Sequence, residues 1–427
     1  MKHLSLIPLL AVIPPLLAQP VFTGVVEPRA ILILDGRANR STLFLNPRNE
    51  RRENMMFGPG LYPGPTAARA TGIEEVVGRD QFKTVLAAVA KEDREIYTTF
   101  RPEVLGSASS SDSAALARNT REDPWDGRVS REQAFQEKLK TAAPNSLIKD
   151  LDPILDTLRA VKSPREIAII REATRITGLA ILEAMRDCRP GMYEYELQAD
   201  AEFVFKKHGA YGAAYFALIG TGRNTFYTHY HKNTAQVRDG DLVQFDYAPD
   251  YKNYVSDVTR VFPANGKFTE RQREHYGVYL LLYRALMASI KVHVAPRDII
   301  KDAVVKMDSI VASFPFTDDH IKQAAIKFVE NYRKSRANSL GHSIGMEVHD
   351  VRSPTQTLEP GQIFTIEPGM QLPDEHEGIR LEDVILITET GYENLSAFVP
   401  IEIADIEKIM TEPGLSDPRE KLYRPNR

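Results

Sequence analysis

Cysteine is nearly absent: Cys188 is the single one in 427 residues. One thiol forms no internal disulfide in any compartment, and its place in "RDCRPG", at the expected end of a helix, reads as structural. An excess of positive charge is missing too. With 54 Lys and Arg against 58 Asp and Glu, the net charge of −4 is spread in both signs along the chain, which leaves no basic stripe for a phosphate backbone and excludes nucleic acid as a partner. Long apolar runs are also lacking. The longest, Leu4 to Leu17, is shorter than the about 20 residues a stable membrane span needs and is broken by Pro8, Pro14 and Pro15. Lys2 and His3 precede that run and Ala18 follows it, so residues 1–18 have the anatomy of a cleavable signal peptide for a secreted or periplasmic protein. The competing reading is an N-terminal segment buried in a cytoplasmic protein.

What the chain does have is 43% apolar residues over a length that suits two domains. In residues 21–158, "AILILDG" and "STLFLNP" read as a strand hairpin, "DQFKTVLAAVAKEDR" as a helix and "EIYTTF" as a strand, which together give a small α/β unit. The polar stretch Gly106 to Gly127 reads as a mobile loop anchored by Trp125. The second unit, residues 159–427, opens at "KSPRE", where Ser163, Pro164 and Glu166 supply a capping box and a first-turn proline. Helices are expected over 164–187 and 194–208, followed by strands in "DLVQFDYA" and "YVSDVTRVF". From Thr269 the order repeats. "TERQ" caps a helix expected to reach Val294, further helical pattern spans Asp298 to Lys334, and strands return at "IFTIEP" and "IRLEDVILIT". The class is α/β (α+β), with two halves of one plan.

Each half places two acids on a strand pair. Asp246 and Asp257 lie eleven residues apart in "FDYAPDYKNYVSD", a separation that lets adjacent strands aim both side chains at one point. Alternation puts Asp257 on one face with Val255, Thr259 and Val261, pointing among apolar neighbours; Glu367 and Glu382 repeat the arrangement, and alternation puts Arg380 on the face of Glu382. A lone acid is usually a solvated strand end, but four on matched hairpins need positive charge between them if they are buried. "SLGHSIGMEVHD", Ser339 to Asp350, adds His342. Four carboxylates and one imidazole make a hard, oxygen-rich set that suits two divalent ions, Mn²⁺ before others. The same segment spells G-x-S-x-G across Gly341, Ser343 and Gly345. A serine nucleophile there would need an apolar strand before it and a helix after it. "KSRANSL" upstream is polar and "MEVHDV" downstream alternates, so Ser343 is incidental and the glycines are small because backbone packs closely.

The segments "HYHKN", "FDYAPDYKNYVSDVTRVFP", "SLGHSIGMEVHD", "FTIEPGM" and "GIRLEDVILITETGYENLS" resemble, in this order, the Xaa-Pro aminopeptidase (aminopeptidase P) branch of the pita-bread metallopeptidases, family M24B. "FTGVVEPRAILILDG" and "TLFLNPRNERRE" resemble part of that family's N-terminal creatinase-like domain. The resemblance implies a C-terminal pita-bread fold of pseudo-twofold halves. It implies Asp246, Asp257, His342, Glu367 and Glu382 as metal ligands, with Asp257 and Glu382 bridging two ions. His229 and His349 are then contacts to substrate and tetrahedral intermediate, Glu367 the proton carrier, and Arg380 an orienting partner. The implied reaction is removal of an N-terminal residue that precedes proline, with a metal-bridging hydroxide as nucleophile; assembly as a dimer or tetramer is implied on the same ground. Prolidase, restricted to dipeptides, shares the ligand pattern, and a pita-bread module that binds peptides without cleaving them is the rival from another class. Two departures stand out. Asn338 occupies a position where many relatives carry a histidine, and an amide cannot titrate near neutral pH. The leader-like run, moreover, sits where relatives have further N-terminal domain.

Overall fold

The computed structural model describes residues 10–13, 25, 27, 29–57, 60–90, 94–104, 109–353 and 355–415. It divides into two compact units, Met1–Leu158 and Arg159–Arg427.

The first unit is built on a six-stranded sheet, β1 (Leu10–Ile13), β2 (Ile31–Asp35), β3 (Arg40–Leu45), β4 (Glu75–Gly78), β5 (Glu95–Thr98) and β6 (Leu147–Asp150), in the order β4-β3-β2-β1-β5-β6. Its longer helices are α1 (Pro65–Thr71), α2 (Phe82–Val89), α3 (Ser110–Glu122) and α4 (Arg131–Ala142), and α5 (Asp152–Ala160) ends it, its last two residues already counted with the second unit. Alternation along β2 and β3 sorts the core into two layers. Leu32, Leu43 and Leu45 pack with Ala67, Leu151 and Leu155 on one face, while Ile31, Ile33 and Phe44 pack with Leu86, Ile96 and Leu139 on the other. Each Leu, Ile or Phe among them contributes about 1.5–3 kcal/mol by leaving water. The expected hairpin is present, with Ile31 opposite Phe44 and Asp35 opposite Arg40.

Two features of this unit bear on the sequence reading. Residues 109–122 are not a loop: the Ser109 hydroxyl accepts from the Asp112 amide and starts helix α3. The helix leaves most of its surface to solvent, so its sequence carries little apolar periodicity, and Trp125 anchors nothing, being 96% exposed. The second concerns the leader-like run. Its residues Leu10–Ile13 form β1, antiparallel to β2 and parallel to β5, so they join the two parts of the sheet. The other residues of 1–18 lie outside the described residues.

In the second unit, Ser163 and Glu166 form the expected capping box of α6 (Pro164–Asp187), and α7 (Glu194–Lys207) follows. Then come β7 (Gly212–Ala213), β8 (Leu218–Thr221), β9 (Leu242–Asp246), β10 (Pro249–Tyr251), β11 (Tyr254–Val255) and β12 (Thr259–Pro263). Thr269 and Gln272 cap α8 (Glu270–Met287), which stops short of the expected end at Val294. His293 takes a left-handed φ of 60°, and Pro296, opening α9 (Pro296–Ser313), holds its predecessor out of helical conformation. After α10 (Asp319–Lys334) come β13 (Ile363–Ile366), β14 (Gly369–Leu372), β15 (Glu377–Arg380), β16 (Asp383–Thr388), β17 (Gly391–Asn394) and α11 (Ile403–Ile409). The two halves thus repeat helices followed by an antiparallel triplet, β12-β9-β8 and β13-β16-β17. No described helix is long and apolar enough to cross a membrane.

Both acid-bearing strands expected to run continuously are interrupted at the acid. "YVSDVTRVF" breaks into β11 and β12 with Asp257 in the gap, and "IRLEDVILIT" breaks into β15 and β16 with Glu382 in the gap. A bend, not strict alternation, therefore turns these two side chains inward. Asp246 ends β9 opposite Thr259, and Glu367 follows Ile366, which lies opposite Asp383. The gap also joins the halves: the Glu382 amide donates to the Thr259 carbonyl over 3.0 Å.

Candidate metal centre

Asp246, Asp257 and Glu382 are buried, and Glu367 is half-buried. The Tyr215 hydroxyl lies 2.6 Å from Asp246 Oδ1 and 2.7 Å from Asp257 Oδ1, which brackets the first pair. Arg380 donates to Asp246 Oδ2 through Nη2 and to the Thr228 carbonyl, 3.1 Å away, through Nη1. His342 Nε2 stands 3.5 Å from Asp257 Oδ2, 3.2 Å from Glu367 Oε1 and 3.5 Å from Glu382 Oε1. Among the described residues, Asp257, His342 and Glu382 offer donor atoms that all lie within 4.8 Å of one another. Residues from four separate stretches of chain thus converge on one centre.

The 339–350 segment reaches that centre because it is wedged between neighbours. The Thr365 amide donates to the His342 carbonyl over 2.8 Å, the Ile344 amide to Ile363 over 3.1 Å, and the Val255 amide to Gly345 over 2.9 Å. A Cβ on Gly341 would sit 1.9 Å from the Thr365 carbonyl oxygen, and one on Gly345 would sit 1.9 Å from Asp350 Oδ2. Only glycine fits such contacts. Ser343 pairs through its backbone with Asp350 and Phe364, and no helix follows it, so the nucleophile-elbow geometry is absent here. The His349 ring lies 4.0 Å from that of His342, tilted by 31°. His229 is exposed on the turn after residues 222–226, one residue beyond the carbonyl that Arg380 grips.

Electrostatics show what the cluster demands. Burial pushes the Asp257 carboxyl well above the usual carboxylate range, and the charges of Glu382 and Asp246 push it further. Asp246 is raised by burial as well, against the pull of Arg380. Burial works against a charged His342, yet Glu367, Glu382 and Asp257 together hold its pKa well above the ordinary value. Glu382 Oε2 accepts from the Thr259 hydroxyl at 2.8 Å, whereas Oε1 is buried and, among the described residues, faces no donor but His342 Nε2, 3.5 Å away and too far for a good hydrogen bond. Four acids against one guanidinium and one imidazole leave the centre short of positive charge. An oxygen-rich set with an orphaned carboxylate oxygen fits divalent cations.

The model of metallopeptidase family M24 matches residues 168–389. Xaa-Pro aminopeptidase of Escherichia coli is 34% identical over 91% of this chain and 87% of that protein. The chain belongs to metallopeptidase family M24. Xaa-Pro aminopeptidase of Haemophilus influenzae is 32% identical over 91% of this chain and 86% of its own length. Among solved structures, E. coli aminopeptidase P with the inhibitor Pro-Leu is 31% identical with a TM-score of 0.70, covering 91% of this chain and 87% of that one. Pseudomonas aeruginosa aminopeptidase PepP is 27% identical with a TM-score of 0.74 over 95% of both chains. The M24 unit here is thus the pita-bread fold that the resemblance implied, with an N-terminal domain before it.

Around this candidate centre stand residues to which the sequence reading gave no role. Tyr279 of α8 donates to the Pro368 carbonyl over 2.6 Å and accepts from the Leu381 amide over 2.7 Å, tying the residue after Glu367 to the residue before Glu382. Arg260, fully buried, donates to the carbonyls of Thr259 and Glu382 at 2.9 and 2.7 Å and to Asp383 Oδ1 at 2.7 Å. Asp350 is held by Arg159 and by Lys162 Nζ at 3.1 Å, which fixes the chain next to His349. Only Asp350 had a signal, its place beside His349. Tyr215 comes from the bend between β7 and β8, while Tyr279 and Arg260 come from a helix and a strand whose patterns read as ordinary core.

Proposed function

We propose that this protein is a metal-dependent Xaa-Pro aminopeptidase, removing the N-terminal residue from peptides with proline second. The reading is carried by one observation, the convergence of Asp246, Asp257, His342, Glu367 and Glu382. These five would hold two divalent ions, and the hard donor set favours Mn²⁺. When bound, such a pair supplies Lewis acidity and a nucleophile at neutral pH. Glu367, the half-buried acid, takes the proton of the attacking water and passes it to the proline nitrogen as the C–N bond breaks. His349, whose ring lies beside that of His342, and His229 donate hydrogen bonds to the oxygen that gains charge in the transition state. Arg380 keeps Asp246 in place and holds the turn before His229. An Xaa-Pro bond has no N–H, so selectivity comes from a shaped pocket for the ring and not from a donor on the scissile amide.

A peptide panel tests this: Xaa-Pro-Yaa, Xaa-Pro and Xaa-Ala-Yaa, with bound metal counted in the same sample. Cleavage of Xaa-Pro-Yaa alone or with Xaa-Pro, lost on chelation and restored by Mn²⁺, is the expected result. A dipeptide-only profile supports prolidase, and metal uptake without cleavage of any member supports a binding module. Assembly as a dimer or tetramer is proposed with the function and is read by light scattering.

Localisation turns on residues 1–18. Used as a leader they would carry the chain to the periplasm or exterior and be removed; used as β1 they join β2 to β5, and their loss would expose two strand edges. The mass of the mature protein separates the two. A chain that begins at Gln19 supports export, and one that retains Leu10–Ile13 supports a cytoplasmic enzyme.

A further inference from the structure

Glu194 is fully buried at the start of α7, yet it belongs to none of the motifs discussed above. A buried carboxylate is tolerated only where donors surround it. Here they come from a single segment, residues 221–235. Oε1 accepts from the Thr221 amide at 2.8 Å, the Thr221 hydroxyl at 3.0 Å and Asn224 Nδ2 at 3.0 Å. Oε2 accepts from the Tyr230 hydroxyl and the Ala235 amide, each at 2.9 Å. The Glu194 amide in turn donates to the Ala235 carbonyl at 3.0 Å. One carboxylate thus ties together both ends of the segment and the residue immediately after His229. The middle is held from the opposite side: the Gly378 amide donates to the Thr225 hydroxyl at 3.1 Å, and Arg380 donates to the Thr228 carbonyl at 3.1 Å. Between these holds His229 stands exposed, and its imidazole has no hydrogen bond or ring contact among the described residues. Its position is therefore set by its backbone alone.

We propose that Glu194 is a positioning residue for His229, its carboxylate clamping the 221–235 segment so that the imidazole is presented to the substrate. This rests on the reading of His229 given above. Glutamine at 194 keeps the shape but turns an NH₂ toward groups that are themselves donors, so at least one tether is lost. Misplacing a catalytic contact by about 1 Å costs on the order of 100-fold, whereas the five candidate metal ligands lie outside the 221–235 segment and keep their geometry. Full-length, metal-loaded Glu194→Gln is therefore expected to lose about 100-fold in kcat/KM toward an Xaa-Pro-Yaa peptide, mostly in kcat, with wild-type metal content. Tyr230→Phe, which removes one tether and leaves the carboxylate intact, is expected to lose about tenfold and covers the case in which Glu194→Gln does not fold. In a His229→Ala background either change should add no more than about a factor of two.

Wild-type kcat/KM in a folded Glu194→Gln, or in Tyr230→Phe should the first variant not fold, overturns the proposal. So does a loss that adds in full to that of His229→Ala, because Glu194 would then act independently of the histidine. A silent His229→Ala overturns the role of His229 and this proposal together while leaving Xaa-Pro cleavage standing; absence of cleavage by the wild type overturns the function itself.

Discussion

Asp257→Asn is expected to abolish cleavage of an Xaa-Pro-Yaa peptide, with a loss on the order of 1,000-fold or more. Asp257 shares its centre with Glu382 and His342, and several kcal/mol of transition-state stabilisation depend on the cations these groups would hold, each 1.4 kcal/mol being a factor of ten. Bound metal per chain should fall in the same sample. The fold should not suffer: asparagine retains an acceptor for the Tyr215 hydroxyl and removes a charge from a place where burial and Glu382 already oppose ionisation. With metal stripped from both proteins, Asp257→Asn is therefore expected to melt no lower than wild type, a case of stability given up for function. Unchanged turnover in a variant confirmed to be folded would remove Asp257 from the reaction. Ser343→Ala is the matched control. Its side chain has no part in the centre as described, so most activity should remain, and a near-total loss would revive the serine hydrolase.

Much of this centre was legible in the sequence because its chemistry is written in residue types that are costly to bury. Asp246, Asp257, Glu367 and Glu382 stand out against apolar neighbours, and the paired spacing of the acids follows from antiparallel strands. Alternation was the wrong reason for the inward turn of Asp257 and Glu382, however, since the strand breaks at each of them. Period-two patterns are silent about bends stabilised from afar, here by Thr259, Arg260 and Tyr279. The same limit hid Glu194. An acid at the first turn of a helix is favoured by the helix dipole and reads as an ordinary cap, and nothing local tells that its partners lie 27 to 41 residues downstream. Helix α3 was lost for the opposite reason. It has a sound cap but too little apolar surface to show a period. The leader-like run is the sharpest ambiguity, because a short apolar stretch serves equally as a signal core or as an interior strand, and only pairing partners distinguish the two.

Gly341→Ala carries the second large effect, and it tests the glycine reading of "SLGHSIG" directly. The added methyl would meet the Thr365 carbonyl oxygen at 1.9 Å, where the obstacle is backbone and cannot rotate away. Either β13 moves or the 339–350 segment lifts, and His342, next in the chain, moves with it. Overpacking of this kind costs about 1–3 kcal/mol or more, so the melting temperature should fall. Displacing the imidazole by about 1 Å should cost on the order of 100-fold in turnover, together with weaker metal retention on dialysis. Gly391→Ala is the control: its Cβ would meet nothing within 4 Å, so both readouts should stay near wild type. If Gly341→Ala retained full activity and stability, the close approach of this segment to β13 would be wrong, and with it the account of how His342 is delivered to the acids. If stability fell but metal content and turnover did not, the segment would be a packing element whose position the centre does not need.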